Sequence, residues 1–493
     1  MEENNQTNNQ PEPVANPAPV NTVRTRMAPS PTGNLHLGTA YATLWPYLFA
    51  KSQGGKFIIR IEDTDQDRST KEFATQIVDG LKWLGFDFDE GPYYQMERLA
   101  LYQEKIDKLL TDGKAYSCFC TKEELDQVRA EQTANKQPQI YSGKCRGLSI
   151  EEVKQRIDAN IPHVVRYKLP EDRGVIEYED LIHGKIRFDS SLIGDFVIAR
   201  QSGIPLYNFV VVVDDAEMKI SHVVRGDDHV SNTPKQILLF EALGVTPPAY
   251  GHYPVILNSD RDGKLSKRTG ATSIDFYKHE GYLPEAILNY LALLGWSLPG
   301  TDKEIWSKEE LISAYRIIDM SSSAAAWDVN KLDWLNGEYI RAMSDEELTK
   351  RLNEYLVDHP SADKIGQLVP LIKERIKKLS DFVPMTNFIF EGSEYDQSVF
   401  DKIKVEDKIV ALKRVVEVLS QMHQPWQADK FEESFRDLAD ALGIVHREIF
   451  QLIRVAWSGQ LVTPPMLETM LIMGEDEVIK RVNGAIEFLN IGK

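Results

Sequence analysis

The chain has 493 residues, 42% of them hydrophobic, which is enough for a large core; single cores usually stop growing near ~250 to 300 residues, so several domains are expected. Acidic residues outnumber basic ones by 75 to 57, a formal charge of −18, which argues weakly against a polyanionic partner unless a local basic track overrules it. Three cysteines argue against a disulfide framework and for a reducing compartment, the cytoplasm, and the absence of a secretory signal or of an apolar run near ~18 residues argues against export and membrane insertion.

Residues 1–21 are rich in Asn, Gln and Pro, have almost nothing to bury, and read as a disordered tail. From Val23 an alternating strand gives way to a Pro-Ser-Pro-Thr-Gly turn and then to helical spacing through Leu37, Tyr41, Leu44 and Leu48. Pro46 falls inside that helix, where its missing donor costs ~3 kcal/mol unless a kink is wanted. Lys56 to Ile61 reads as a buried strand and Lys71 to about Leu84 as a second helix. This alternation predicts an α/β, doubly wound parallel-sheet (Rossmann-like) domain, its halves at 22–114 and 214–272.

Between them, 115–213 reads as a mixed α/β insertion. Thr121 and Glu124 have capping-box spacing, and strand-like runs follow at His163 to Leu169, Lys185 to Phe188 and Phe196 to Arg200. The apolar run Phe209 to Val213 is read as a strand returning the chain to the sheet. Beyond Ser273 strand signals are rare, and 273–345 and 346–493 read as predominantly helical.

Four constellations carry chemistry. His36-Leu-Gly38-Thr39 lies where a turn enters a helix N-terminus, whose free donors attract phosphate, although a His that merely caps or packs there is as common. Arg60-Ile-Glu62-Asp63-Thr64-Asp65 follows a buried strand, placing its acids at the carboxyl end of the sheet where ligands bind, with helix capping and pairing to Arg60 or Arg68 as the bland account of the later Asp residues. Val223-Val-Arg225-Gly226-Asp227-Asp228-His229 again ends an apolar strand in charge, and a guanidinium fork there suits a carboxylate. Asp260 to Arg268 is turn-forming and basic, suited to closing on a triphosphate, with a merely solvated charge run as the commoner alternative; a calcium loop fits poorly because Thr269 stands where a bidentate Glu is required.

Together, and in this order, these constellations resemble the class I aminoacyl-tRNA synthetases, and specifically the bacterial-type glutamyl-tRNA synthetases. The opening phrase Arg26-Met-Ala-Pro-Ser-Pro-Thr-Gly-Asn-Leu-His-Leu-Gly-Thr39, the Lys-Leu-Ser-Lys-Arg run ending at Arg268, and Lys331-Leu-Asp-Trp-Leu-Asn-Gly-Glu-Tyr-Ile-Arg341 carry the match, which covers the chain from about Thr22 onward. The resemblance implies a glutamate–tRNA ligase that uses ATP with magnesium, forms glutamyl-adenylate, and passes the glutamyl group to the terminal adenosine of tRNA-Glu. It implies catalytic roles for His36, Gly38 and Lys267, ATP binding by these with Asp228, Lys264 and Ser266, and glutamate binding by Arg26, Ala28, Ser30, Glu62, Tyr207 and Arg225. It further implies an acceptor-binding, connective insertion, a stem-contact domain at 273–345, and a helical region at 346–493 that reads the anticodon through Arg375, in a cytoplasmic monomer.

Cys118, Cys120 and Cys145 match the spacing of a zinc module found in some relatives. The expected fourth ligand is replaced by Gly147, which counts against zinc, and Tyr116, Tyr141 or water are the candidates to complete the shell. Glutaminyl-tRNA synthetase, the nearest rival, carries β-barrels where this chain is helical; a nucleotidylyltransferase has no need of the helical end, and a non-catalytic RNA-binding scaffold has none for His36 and Lys267.

Overall fold

The computed structural model describes residues 22–265, 273–357, 363–422 and 425–491. The expected disordered tail lies outside these residues, and so do Ser266 and Lys267. The chain divides into two compact units, one running to Phe276 and including Ile287–Asp328, the other made of Tyr277–Ala286 and the chain from Val329.

In the first unit the chain runs through β1 (Arg24–Met27), α1 (Leu37–Ser52), β2 (Lys56–Ile61), α2 (Lys71–Trp83), β3 (Glu90–Tyr94) and α3 (Leu99–Thr111). Next come β4 (Ala115–Cys118), α4 (Lys122–Ala134), α5 (Ile150–Asp158), β5 (Val164–Tyr167), β6 (Val175–Asp180), β7 (Gly184–Asp189) and β8 (Val197–Ala199). The last elements used below are α6 (Tyr207–Glu217), β9 (His222–Gly226), α7 (Thr233–Leu243) and β10 (Ala249–Tyr253).

β1, β2 and β3 form a parallel sheet, and β7-β6-β10-β9 form a second in which only β6 and β7 are antiparallel. The two sheets meet at β1 and β9: Arg24 N donates to Ser221 Oγ at 2.8 Å, and Ser221 N donates to the Arg24 carbonyl at 3.0 Å. β1 is short but buried on both faces, as expected of a parallel strand between covering layers. Thr25 donates its hydroxyl to the Pro46 carbonyl at 2.7 Å, while the adjacent Arg26 turns to the buried Asp215. Pro46 does sit within α1. The donor it lacks would have served the Ala42 carbonyl, which instead accepts the Tyr253 hydroxyl at 3.3 Å.

The insertion contributes a separate antiparallel sheet, β4-β5-β8, and the hairpin β6–β7, which is hydrogen-bonded into the catalytic sheet through β10. Thr121 and Glu124 form the expected capping box at α4. One element differs: Phe209 to Val213 is not a strand but the middle of α6, whose residues from Phe209 to Asp215 are all buried. A short apolar run buried on every side has no periodicity to separate helix from strand, and tertiary burial overrides the β-propensity of its valines. The helix puts Tyr207 and Asp214, seven residues apart, on one face.

The second unit is helical and has one continuous core, running from Leu283 through Trp457 to Leu489. Its helices are amphipathic and capped by ordinary means; Asp407, for instance, accepts Val410 N at 3.0 Å. The helix His446–Ser458 ends at Gly459 with φ at +76°, where a Cβ would come within 2.3 Å of the Glu394 carbonyl oxygen, so only glycine fits.

Candidate active site

A cavity of about 340 Å3 opens where the carboxyl ends of β1, β2, β9 and β10 converge with the N-terminus of α1. This is the position at which a parallel α/β sheet presents ligand-binding loops. β1 runs out into Ala28 and Ser30, β2 into Glu62, and β9 into Asp228, and all of these line the cavity. Arg26 and Arg225 come from within their strands, Tyr207 from the start of α6, and His36 and Gly38 from the entrance to α1. Lys264 lines it as well, so every site residue expected in this unit that falls among the described residues meets in one hollow.

His36 caps α1, its Nδ1 accepting Thr39 N at 3.3 Å and its Nε2 lying 3.1 Å from Thr39 Oγ1. A Cβ on residue 38 would sit 3.0 Å from the His36 ring, so glycine here gives the imidazole its place, besides leaving backbone open to a nucleotide. On the far side, Lys264 Nζ holds Asp228 Oδ2 at 2.7 Å. Burial pushes the Asp228 carboxyl up, but the hydrogen bond from Lys264, the charge of Lys264 and smaller contributions together outweigh it and keep it below its usual value.

The floor is a buried charge array. Arg26 Nε donates to Asp215 Oδ1 at 3.2 Å and Arg60 Nη1 to the same oxygen at 2.7 Å. Asp214 accepts from Arg98 Nε at 2.8 Å and from the Tyr102 hydroxyl at 2.9 Å. Burial acts against ionised Asp215, but Arg26 and Arg60 prevail and its pKa is lowered. Glu62 fares differently: burial raises its pKa to about 7, with Arg60 and Arg26 only partly opposing. Its Oε1 has no hydrogen bond among the described residues, the nearest cation being Arg60 Nη2 at 3.6 Å. A cationic ligand group beside Glu62 would stabilise the carboxylate.

Arg225 is held by its edge. Nε donates to His252 Nε2 at 3.2 Å and Nη2 to Thr233 Oγ1 at 2.7 Å, while buried Nη1 has no hydrogen-bond partner among the described residues. Tyr207 places its hydroxyl 3.2 Å from His229 Nδ1; burial, with Arg225 next, lowers His229 to about 4, so this imidazole is neutral. Asp214, Asp215, Thr233 and His252 were missed in the sequence, and His229 was read only as part of its motif. The adjacent pair Asp214-Asp215 at the end of a valine run was the available signal, since paired acids inside an apolar segment need buried cations.

The later acids of β2 are structural: Asp63 accepts Met96 N at 2.9 Å, Asp65 pairs with Arg68 at 2.5 Å, and Thr70 rather than an Asp caps α2. Asp260 accepts Asp262 N at 2.9 Å within its own turn. Among the described residues, the one group of His, Cys, Asp and Glu side chains compact enough for an ion is Cys118, Cys120 and Cys145, with ligand atoms within 4.8 Å of one another. Tyr141 Oη lies 3.4 Å from Cys118 Sγ and 3.3 Å from Cys120 Sγ, and accepts Cys145 N at 3.0 Å. Tyr116 is instead committed to Asp195 at 2.6 Å. Three thiols and one phenol therefore converge; the thiols are a donor set that could hold a metal ion, and Tyr141 lies where a fourth donor would stand.

In the second unit Arg375 is exposed, with Nη1 donating to the Thr463 carbonyl at 2.7 Å. Its basic neighbours do not form a helix face: residues 373–375 are a turn after the helix Ile365–Ile372, and Lys373 and Lys378 pair with Asp345 and Glu280.

A parallel-sheet unit whose cavity gathers an imidazole, two guanidinium groups and a carboxylate is joined in one chain to a separate helical unit, and comparison with known proteins gives the class. Residues 22–334 match the family of class I tRNA synthetases (E and Q), catalytic domain, and residues 347–486 match an anticodon binding domain. The chain is 43% identical to glutamate–tRNA ligase 2 of Caldicellulosiruptor saccharolyticus, over 94% of this chain and 99% of that protein. It is similar in structure to a glutamate tRNA ligase from Elizabethkingia meningosepticum, solved in complex with its amino acid, with a TM-score of 0.84, 33% identity, and coverage of 94% and 99%. The glutamate–tRNA synthetase of Elizabethkingia anophelis gives a TM-score of 0.81 at 33% identity, covering 94% of this chain and all of that one. The chain belongs to the glutamate–tRNA ligase family of class I tRNA synthetases. No helix among the described residues is long and apolar enough to cross a membrane.

Proposed function

We propose that this protein attaches L-glutamate to tRNA-Glu in two steps within the cavity at the β1–β9 junction. The glutamate α-carboxylate attacks the α-phosphate of ATP, pyrophosphate leaves, and a ribose hydroxyl of the terminal adenosine then takes the glutamyl group. No protein nucleophile is required; positioning and charge stabilisation supply the rate. The observation that carries this reading is a single hollow shared by an imidazole at a helix N-terminus, two guanidinium groups and a buried carboxylate.

In this reading Arg26 and Arg225 hold the negatively charged side chain, with Ala28, Ser30 and Tyr207 shaping its place, and Glu62 receives the α-ammonium. A glutamine side chain would leave an Arg donor without its counter-charge, a mismatch of several kcal/mol when buried. His36 donates to a phosphate as charge moves to the leaving group. Lys264 and Lys267 neutralise the phosphates and Ser266 donates a hydrogen bond to them, with Lys264 exchanging Asp228 for ATP. Magnesium would ride on the ATP phosphates, and a zinc ion held by Cys118, Cys120 and Cys145, with Tyr141 or water as fourth donor, would supply structure alone.

The remaining assignments belong to the same proposal: an acceptor-binding, connective insertion at 115–213, a stem-contact domain at 273–345, anticodon reading by 346–493 through Arg375, and a cytoplasmic monomer. ATP–pyrophosphate exchange, run with glutamate and glutamine separately and with and without tRNA-Glu, tests the function. Exchange supported by glutamate and not by glutamine is expected; equal exchange with both removes the specificity reading.

A further inference from the structure

Arg225 reaches the cavity from β9, and what holds it lies on the two neighbouring strands. In the parallel pairing of β9 with β10, His252 stands directly across from Arg225. On the other side of β10, β6 ends at Asp180, which pairs in register with Tyr250. Three polar side chains thus cross the sheet in a row. His252 Nδ1 lies 2.6 Å from Asp180 Oδ2, His252 Nε2 lies 3.2 Å from Arg225 Nε, and both the His252 and Asp180 side chains are fully buried.

The partners decide where the imidazole proton sits. Asp180 Oδ1 accepts the main-chain N–H groups of Ile182 at 2.9 Å and His183 at 3.0 Å, bonds that favour the ionised carboxylate, so Oδ2 can only accept. Nδ1 must therefore carry the proton. Arg225 Nε can only donate, so Nε2 must offer its lone pair. The two ends demand the same neutral tautomer. A proton on Nε2 would set donor against donor beside a guanidinium, in a buried place where the clash is costly.

We propose that Asp180 and His252 are positioning residues for glutamate recognition: they fix the imidazole as the Nδ1–H tautomer, which grips Arg225 by Nε and leaves Nη1 for the substrate's side-chain carboxylate. Thr233 completes the grip at Nη2. With these edges engaged the guanidinium cannot swing to accommodate an amide, so the row contributes to rejecting glutamine. Asp180 lies in the β6–β7 hairpin, which ties this insertion element to amino-acid choice. The inference rests on the reading of Arg225 as a carboxylate clamp.

The test is steady-state ATP–pyrophosphate exchange with tRNA-Glu present, comparing the full-length protein with Asp180→Asn, His252→Gln, His252→Leu and Arg225→Gln. An amide at 180 can donate to Nδ1 and drive the proton to Nε2, so Asp180→Asn should raise KM for glutamate at least tenfold while KM for ATP stays within twofold. His252→Gln, whose carbonyl can still accept from Arg225, should recover much of what His252→Leu loses. Because a buried substitution can impair folding, the unsubstituted protein labelled with 15N-histidine supplies a second reading: its spectrum should contain a neutral Nδ1–H imidazole that is lost in His252→Gln. Unchanged KM for glutamate in Asp180→Asn, a parallel rise for ATP, or an Nε2–H signal for His252 overturns the proposal. If Arg225→Gln also leaves glutamate use unaltered, the clamp itself is wrong; if Arg225→Gln is impaired and Asp180→Asn is not, only the positioning row fails.

Discussion

Glu62 is the side chain whose charge state the cavity controls most directly. In the unfolded chain it ionises near its ordinary value of 4.5, and burial in the fold, only partly opposed by Arg60 and Arg26, raises it to about 7. The raised value favours the fold below 4.5, and that contribution is lost as pH rises through 7. Binding runs the other way, because an ammonium needs the carboxylate. KM for glutamate should therefore fall as pH rises from about 6 to about 8, and Glu62→Gln should both raise KM and flatten its pH profile; a flat profile in the unsubstituted protein would take Glu62 out of ammonium recognition. Glu62, Arg26 and Arg225 were legible in the sequence because each stands in a short local motif beside a strand. Their partners were not: Asp215 lies 189 residues from Arg26 and 155 from Arg60, and no local pattern spans such separations.

The element that most changes the picture is α6. As a strand, Phe209 to Val213 would have been one more rung of the sheet; as a buried helix it carries Tyr207 to the cavity and Asp214-Asp215 beneath it. Asp215→Asn would leave Arg26 without its counter-charge and take from Arg60 the nearest of its three carboxylates, the others being Asp214 and Glu62, and removing one partner of a buried pair typically costs ~3–5 kcal/mol. Denaturant unfolding of this variant should shift its midpoint down, and KM for glutamate should rise with it, since Arg26 loses its anchor; a variant of full stability and normal KM would show the array to be incidental. α1 illustrates the opposite case. Its spacing was readable despite Pro46, and the fold accommodates the missing donor by lending the Tyr253 hydroxyl to Ala42, a contact that only the assembled sheet provides.

At the scale of the whole molecule the parallel-sheet catalytic domain and the helical end were legible, because long stretches of strand–helix alternation and of helical periodicity survive local ambiguity. The three thiols were legible too, but the choice among Tyr116, Tyr141 and water as their companion was not, since only the fold turns Tyr116 to Asp195 and Tyr141 to the thiols. Elemental analysis should find about one zinc per chain, and Cys145→Ser should lose it together with thermal stability; metal-free protein of undiminished stability would refute the assignment. An acidic chain that charges tRNA must confine its RNA contacts to local cations, and Arg375→Gln should weaken kcat/KM for tRNA-Glu or widen it toward tRNA-Gln while leaving KM for ATP unchanged. The central claim, that one cavity holds both the glutamate side chain and the nucleotide, is tested most directly by calorimetric titration with a stable glutamyl-adenylate analogue. Arg225→Gln at one end and His36→Ala at the other should each weaken its binding at least tenfold, whereas full affinity in either variant would contradict a shared site.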